Sequence, residues 1–124
     1  DLEEIGGSFY IDKIRISDLI GALIPQEDAF ILVDDNKWGI GKTISGRRVI
    51  PFLEHEGEYW GLPQDDNTAI SELERLRLSG ANFMVIGWPA MWWLDYYVEL
   101  RRHLYTNARC VLQSDNLVVF NLNS

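Results

Sequence analysis

The segment AFILVDD, residues 29–35, decides the fold reading: five apolar residues run without interruption and stop at two carboxylates. A strand wetted on one face alternates apolar with polar side chains, whereas a strand covered on both faces by helices is apolar throughout. Residues 29–34 are therefore expected to form a central, helix-covered strand. RRVIPF, residues 47–52, predicts a second, shorter strand, with Pro51 near its end where a missing N–H matters least. ANFMVIG, residues 81–87, predicts a third buried strand.

Helical spacing fills the intervals. Residues 17–24 read as a helix that opens at Ser17 and ends before Pro25, while 10–16 fit either a helix or a short strand. The acidic stretch 1–9, with its Gly6-Gly7 break, is expected to be a flexible lead-in. TAISELERLRLSG, residues 68–80, puts Ile70, Leu73 and Leu76 on one face, with Asp66 or Thr68 as cap and Gly80 as terminator. From Pro89, tolerated in a first turn, a helix is predicted to about Leu104. RCVLQ (109–113) and LVVFNL (117–122), separated by Ser114-Asp115-Asn116, suit a hairpin that leaves the last strand antiparallel.

The alternation of strands and helices predicts a single α/β domain over 1–124. It is expected as a Rossmann-like three-layer sandwich on a mostly parallel five-stranded sheet with an antiparallel C-terminal edge strand. Crossover rules put 29–34 between 47–52 and 82–87.

Composition narrows the function classes. The chain has 124 residues, 47% hydrophobic and 24% charged, which is ordinary for a globular protein long enough to bury a core. Nineteen acidic against eleven basic residues give a net charge of −8, which repels nucleic acid and anionic lipid, so neither is expected as a partner. No apolar run has membrane-spanning length and no basic-then-apolar leader opens the chain. Because the chain begins at Asp1 rather than Met, an excised domain or a processed product is expected. The single Cys110 rules out an internal disulfide or a thiol cluster and reads as a small buried strand residue, so a reducing cytoplasm is the default.

In an open sheet of this kind ligands bind beyond the carboxyl ends of the strands, where the strand order reverses. That rule singles out Asp34 and Asp35 after the first strand and Trp88 after the third. The segment LEHEGEYWGLPQDD, residues 53–66, leaves the same edge and is unusually long for a loop without periodicity. It supplies Glu54, His55, Tyr59 and Trp60. Asp34, Asp35, Glu54 and His55 together could hold a divalent cation, with His55 or Glu54 as base; turn chemistry and solvation account for the same residues. His103 reads as a structural residue at the solvated end of its helix, and Asp65-Asp66 as acids favoured by a helix N-terminus. Gly39, Gly41 and Gly46 do not make a dinucleotide fingerprint, and Gly41-Lys42-Thr43 lacks the earlier glycine of a phosphate loop. No catalytic residue and no resident metal or cofactor is therefore assigned.

The most unusual stretch is GWPAMWWLDYY, residues 87–97. On a 3.6-residue period Trp93, Tyr97, Leu100 and Leu104 make one stripe, and Trp92 and Tyr96 a neighbouring one. A helix beside a sheet needs roughly one apolar face. The surplus is expected to be covered by the 53–66 loop, with Tyr59, Trp60, Leu62 and Pro63 over Trp88 and Trp92. A second copy, a partner domain or a stacked sugar are the other ways to cover it.

Pro51-Phe52 with Gly57-x-Tyr59-x-Gly61, the helix end Leu73-Glu74-x-Leu76-x-x-x-Gly80-Ala81, and Trp92-Trp93-Leu94-x-x-Tyr97 carry a family resemblance. Over about Leu19 to Leu122 the chain resembles a small uncharacterised bacterial α/β domain, notably cyanobacterial. That domain is found alone or beside glycosyltransferase or methyltransferase modules in polysaccharide-related proteins. The resemblance implies a bacterial, cytoplasmic setting near glycan assembly and carries over no catalytic residue. It points to Asp34, Gly57, Tyr59, Gly61, Trp92 and Trp93. The expected function is a noncatalytic accessory or interaction module that binds a protein domain, its own copy or a carbohydrate-like ligand. The alternative is a metal-assisted enzyme of sugar or sugar-nucleotide chemistry.

Overall fold

A computed structural model describes residues 17–39 and 41–123. The expected lead-in over 1–9 and the helix-or-strand segment 10–16 lie outside the described residues. Residues 17–23 are helical (α1). They are followed by β1 (Ala29–Val33), β2 (Thr43–Ile44), β3 (Arg47–Pro51), β4 (Glu54–His55), β5 (Glu58–Tyr59) and α2 (Asp66–Leu78). Then come β6 (Ala81–Gly87), a 3-10 turn (Ala90–Trp92), α3 (Trp93–Tyr96), α4 (Val98–Asn107), β7 (Arg109–Gln113) and β8 (Leu117–Asn121).

Among the described residues the main sheet has six strands in the order β2-β3-β1-β6-β8-β7, and β4 and β5 form a separate two-stranded ribbon. The expected centre is observed, with β1 parallel to β3 on one side and to β6 on the other. Three details differ from expectation. Among the described residues the main sheet has six strands rather than five. Of its five strand pairings two are parallel and three antiparallel, so it is mixed rather than mostly parallel. The C-terminal strand β8 is antiparallel, as expected, but it lies between β6 and β7 and not at the edge. Burial explains that choice. Leu117 to Phe120 are all buried and need cover on both faces, while β7 exposes Arg109 and Gln113 and tolerates an edge.

Alternation along β1 divides the core in two. Ala29, Ile31 and Val33 face α2 and α4, packing with Leu73, Leu76, Trp93, Tyr97, Leu100 and Leu104. Phe30 and Leu32 face the other way, toward Ile20, Ile24 and Trp38. The predicted stripe Trp93, Tyr97, Leu100 and Leu104 is fully buried. None of the helices among the described residues is long and apolar enough to cross a membrane.

The continuous helix expected from Pro89 is interrupted. Tyr97, at φ −92° and ψ 77°, leaves the helical region between α3 and α4. Asp66 makes the break tolerable, because its Oδ2 accepts the Glu99 N–H at 2.6 Å and the Leu100 N–H at 3.3 Å. Asp66 therefore caps a neighbouring helix, and the cap of α2 is Asp65, whose Oδ1 accepts the Thr68 N–H at 2.7 Å. His103 is half-buried rather than solvated, with Nε2 3.1 Å from the Glu74 carboxylate across the α2–α4 seam. Cys110 is half-buried on β7, where its thiol donates to the Leu112 carbonyl.

Candidate functional site

The site is built at the carboxyl end of β1. Asp34 follows the strand and is nearly buried; its Oδ1 accepts the Asn36 N–H at 2.9 Å and its Oδ2 the Trp38 N–H at 3.2 Å. Burial pushes its pKa up; the two backbone donors oppose this and the neighbouring Asp35 charge adds to it. Asp35 and Asn36 both take left-handed backbone, at φ 54° and 56°, a conformation that Asp and Asn adopt more readily than most residues. The tight turn that results aims consecutive side chains in different directions.

Asp35 faces the aromatic segment. Its Oδ2 accepts the Trp92 indole N–H at 2.6 Å and its Oδ1 the Trp93 indole N–H at 2.8 Å. One carboxylate thus orients two consecutive tryptophans, and their polar tips are satisfied. Trp38 closes the turn from the opposite face. Its ring lies against Gly87, where a methyl group would collide with it, and its indole N–H donates to the Trp88 carbonyl. The crevice between β1 and β6, where the strand order reverses, is consequently filled by the protein's own indole rings.

The 53–66 segment does reach this corner, although it does not cover what was expected. Tyr97 Oη donates to the Pro63 carbonyl at 2.7 Å, and Phe52 packs on Trp93 with centroids 5.8 Å apart. Tyr59 is half-buried, its phenol pushed up by burial and then by the charges of Asp35 and Asp34. The segment itself therefore meets Tyr97, and Phe52, the residue just before it, meets Trp93. Trp92 stays 37% exposed, Trp88 52%, Tyr96 68% and Trp60 68%. Trp92 sits 5.8 Å from Tyr96 edge-on and 6.0 Å from Tyr97, which makes a continuous aromatic shelf.

The remaining candidates are directed elsewhere. Glu54 binds Arg75 of α2 at 2.8 Å and accepts the Gly57 N–H at 3.0 Å. The Arg75 guanidinium holds its carboxyl below the usual range. His55 is exposed and packs on Trp60 with centroids 4.6 Å apart. Neither makes a hydrogen bond or ion pair with Asp34 or Asp35 among the described residues. No group of three or more His, Cys, Asp or Glu among those residues is arranged to hold a metal ion.

Sequence reasoning missed Asn36 and Trp38, which belong to the corner, and did not place Lys42 and Glu58 together on its border. Lys42 Nζ donates to Glu58 Oε1 and to the Gly57 carbonyl, each at 3.0 Å, and so ties the turn after β1 to the β4–β5 ribbon. Trp38 lies in a stretch whose glycine spacing fits neither a dinucleotide nor a phosphate-loop fingerprint, and a single tryptophan there carries no signal of its partners. Comparison with protein-family models, curated proteins and solved structures finds no match to this chain.

Proposed function

We propose that this chain is a noncatalytic accessory or interaction module that acts through the aromatic shelf anchored on Asp35. The observation that carries the reading is an oriented ring left open to water. Trp92 is held at its indole N–H by Asp35 yet remains over a third exposed, with Tyr96 exposed beside it. Tyrosine and tryptophan supply large contact area at low conformational cost and are enriched at interfaces. The partner is a protein domain, a second copy or a carbohydrate-like ligand. Resemblance in sequence supports a bacterial, cytoplasmic setting linked to polysaccharide biosynthesis. The frame is read as Rossmann-like, a reading supported by the order β3-β1-β6 at its centre.

Sedimentation across a concentration series, with tryptophan emission recorded against a panel of neutral oligosaccharides, tests the proposal. Self-association or a saturable emission change is expected, lost in Trp92→Ala and Tyr96→Ala while the fold persists. A monomer that responds to nothing in the panel and captures no partner domain would overturn it. Calorimetric heat with manganese and a sugar nucleotide would instead favour the metal-assisted enzyme.

A further inference from the structure

Asp34 is the one buried charged side chain among the described residues, and no cation among them pairs with it. Its two oxygens each accept one backbone N–H, and a carboxylate has capacity for more. Holding such a group out of water without a counter-charge is costly. A cleft of about 230 Å³ opens onto it, with Leu32, Val49 and Pro51 as apolar lining and Tyr59, Lys42 and Glu58 as its polar rim. That volume is on the order of eight waters' worth of liquid.

We propose that this cleft binds a small organic cation with a primary ammonium head and a short hydrocarbon body. The ammonium lies against Asp34 and Tyr59, and the hydrocarbon lies on Leu32, Val49 and Pro51. A carboxylate gives a charge-assisted hydrogen bond to an ammonium, and a tyrosine ring adds cation–π attraction. The sign of the ligand follows from the local balance. Asp34, Glu58 and the adjacent Asp35 are set against Lys42 alone, and the Lys42 ammonium is already engaged by Glu58 and Gly57. The Lys42–Glu58 pair is 68% and 77% exposed, and exposed pairs contribute little, so the rim yields to an entering ligand at low cost. None of Trp88, Trp92 and Tyr96 lines the cleft, so this inference goes beyond the aromatic-shelf reading and does not depend on it.

The test is a nitrogen-resolved NMR titration of the whole chain with n-butylammonium chloride, alongside sodium butyrate and butan-1-ol as anionic and neutral probes of similar size. Saturable shifts of the Asn36 and Trp38 amides are expected with butylammonium alone. Asp34→Asn should weaken binding by about tenfold or more, as expected for loss of a charged partner. Tyr59→Leu should weaken it several-fold, and Lys42→Met should leave it intact or tighter. Trp92→Ala should not alter it, which separates failure here from failure of the shelf. Butyrate binding that disappears in Lys42→Met would make this an anion site, and equal shifts with butanol would make it merely apolar. Either result, or no saturation with any probe, overturns the proposal. If Asp34→Asn does not fold, the three-probe comparison on wild type with Tyr59→Leu and Lys42→Met still decides it.

Discussion

Asp34 and Asp35 are chemically identical neighbours with opposite employment, and the backbone between them is the reason. The left-handed turn at Asp35 and Asn36 turns one carboxylate into the β1–β3 cleft and gives the next to two indoles. Their consequences for stability differ in kind. Burial raises the Asp34 pKa, so in the window from its ordinary value of 3.8 upward the folded state binds more protons than the unfolded. Its contribution therefore falls as pH rises through that window and levels off once Asp34 is ionised. Urea unfolding at a series of pH values should show Asp34→Asn gaining on wild type across the window. Parallel pH profiles for the two proteins would show that burial does not govern this carboxyl. Glu54, held low by Arg75, acts with the opposite sign: its contribution is present above its ordinary value and lost as pH falls through its folded pKa. Among the tryptophans, Trp93 is fully buried and Trp92 is not. Trp93→Ala should cost roughly 3–5 kcal/mol. Trp92→Ala should cost much less, because part of its ring is already in water. Equal midpoints in denaturant would contradict the division into a buried and a presented stripe.

At the scale of elements, the aromatic helix is instructive because its side-chain period survives a break in its backbone. The stripe Trp93, Tyr97, Leu100 and Leu104 stays in register while Tyr97 itself is not helical. Hydrogen bonding holds the chain together there: Tyr97 N–H reaches Trp93, the Arg101 N–H reaches Tyr97, and Asp66 receives the first amides of α4. Asp66→Ala should unravel the first turn of α4 and lower stability by about 1 kcal/mol, the usual effect of a lost cap. Asp66→Asn should recover part of it. Thermal melts of both variants by circular dichroism check the ordering. The β4–β5 ribbon shows the limit of pattern reading within the 53–66 segment. Glu56 and Gly57 have φ of 53° and 84°, the two positive values of a two-residue hairpin turn, and Ser45-Gly46 repeats the device between β2 and β3. Each pairing involves strands of only two bonded residues, too few to show alternation. A glycine in the second turn position was the only visible signal.

Across the whole molecule, an apolar run betrays burial, and that principle together with the crossover rules led to β1 at the centre with β3 and β6 beside it. Helix α2 and the buried stripe of the aromatic segment were legible because periodicity reports which face meets water, and the antiparallel last strand because a three-residue gap suits a hairpin. What the linear pattern does not carry is order among strands brought together by long connections. The insertion of β8 between β6 and β7 followed from competition for cover: a fully apolar LVVF takes the interior and RCVLQ is left at the edge. The specific partners of distant residues were equally invisible. Asp35 with Trp92 and Trp93, Trp38 on Gly87, and Asp66 on α4 join positions more than thirty residues apart. The amino-acid string determined which residues must leave water and which secondary structure each segment prefers, because both are local properties. Only the tertiary structure decided which polar groups those buried surfaces bring together, because hydrogen-bond partners are chosen by proximity in space.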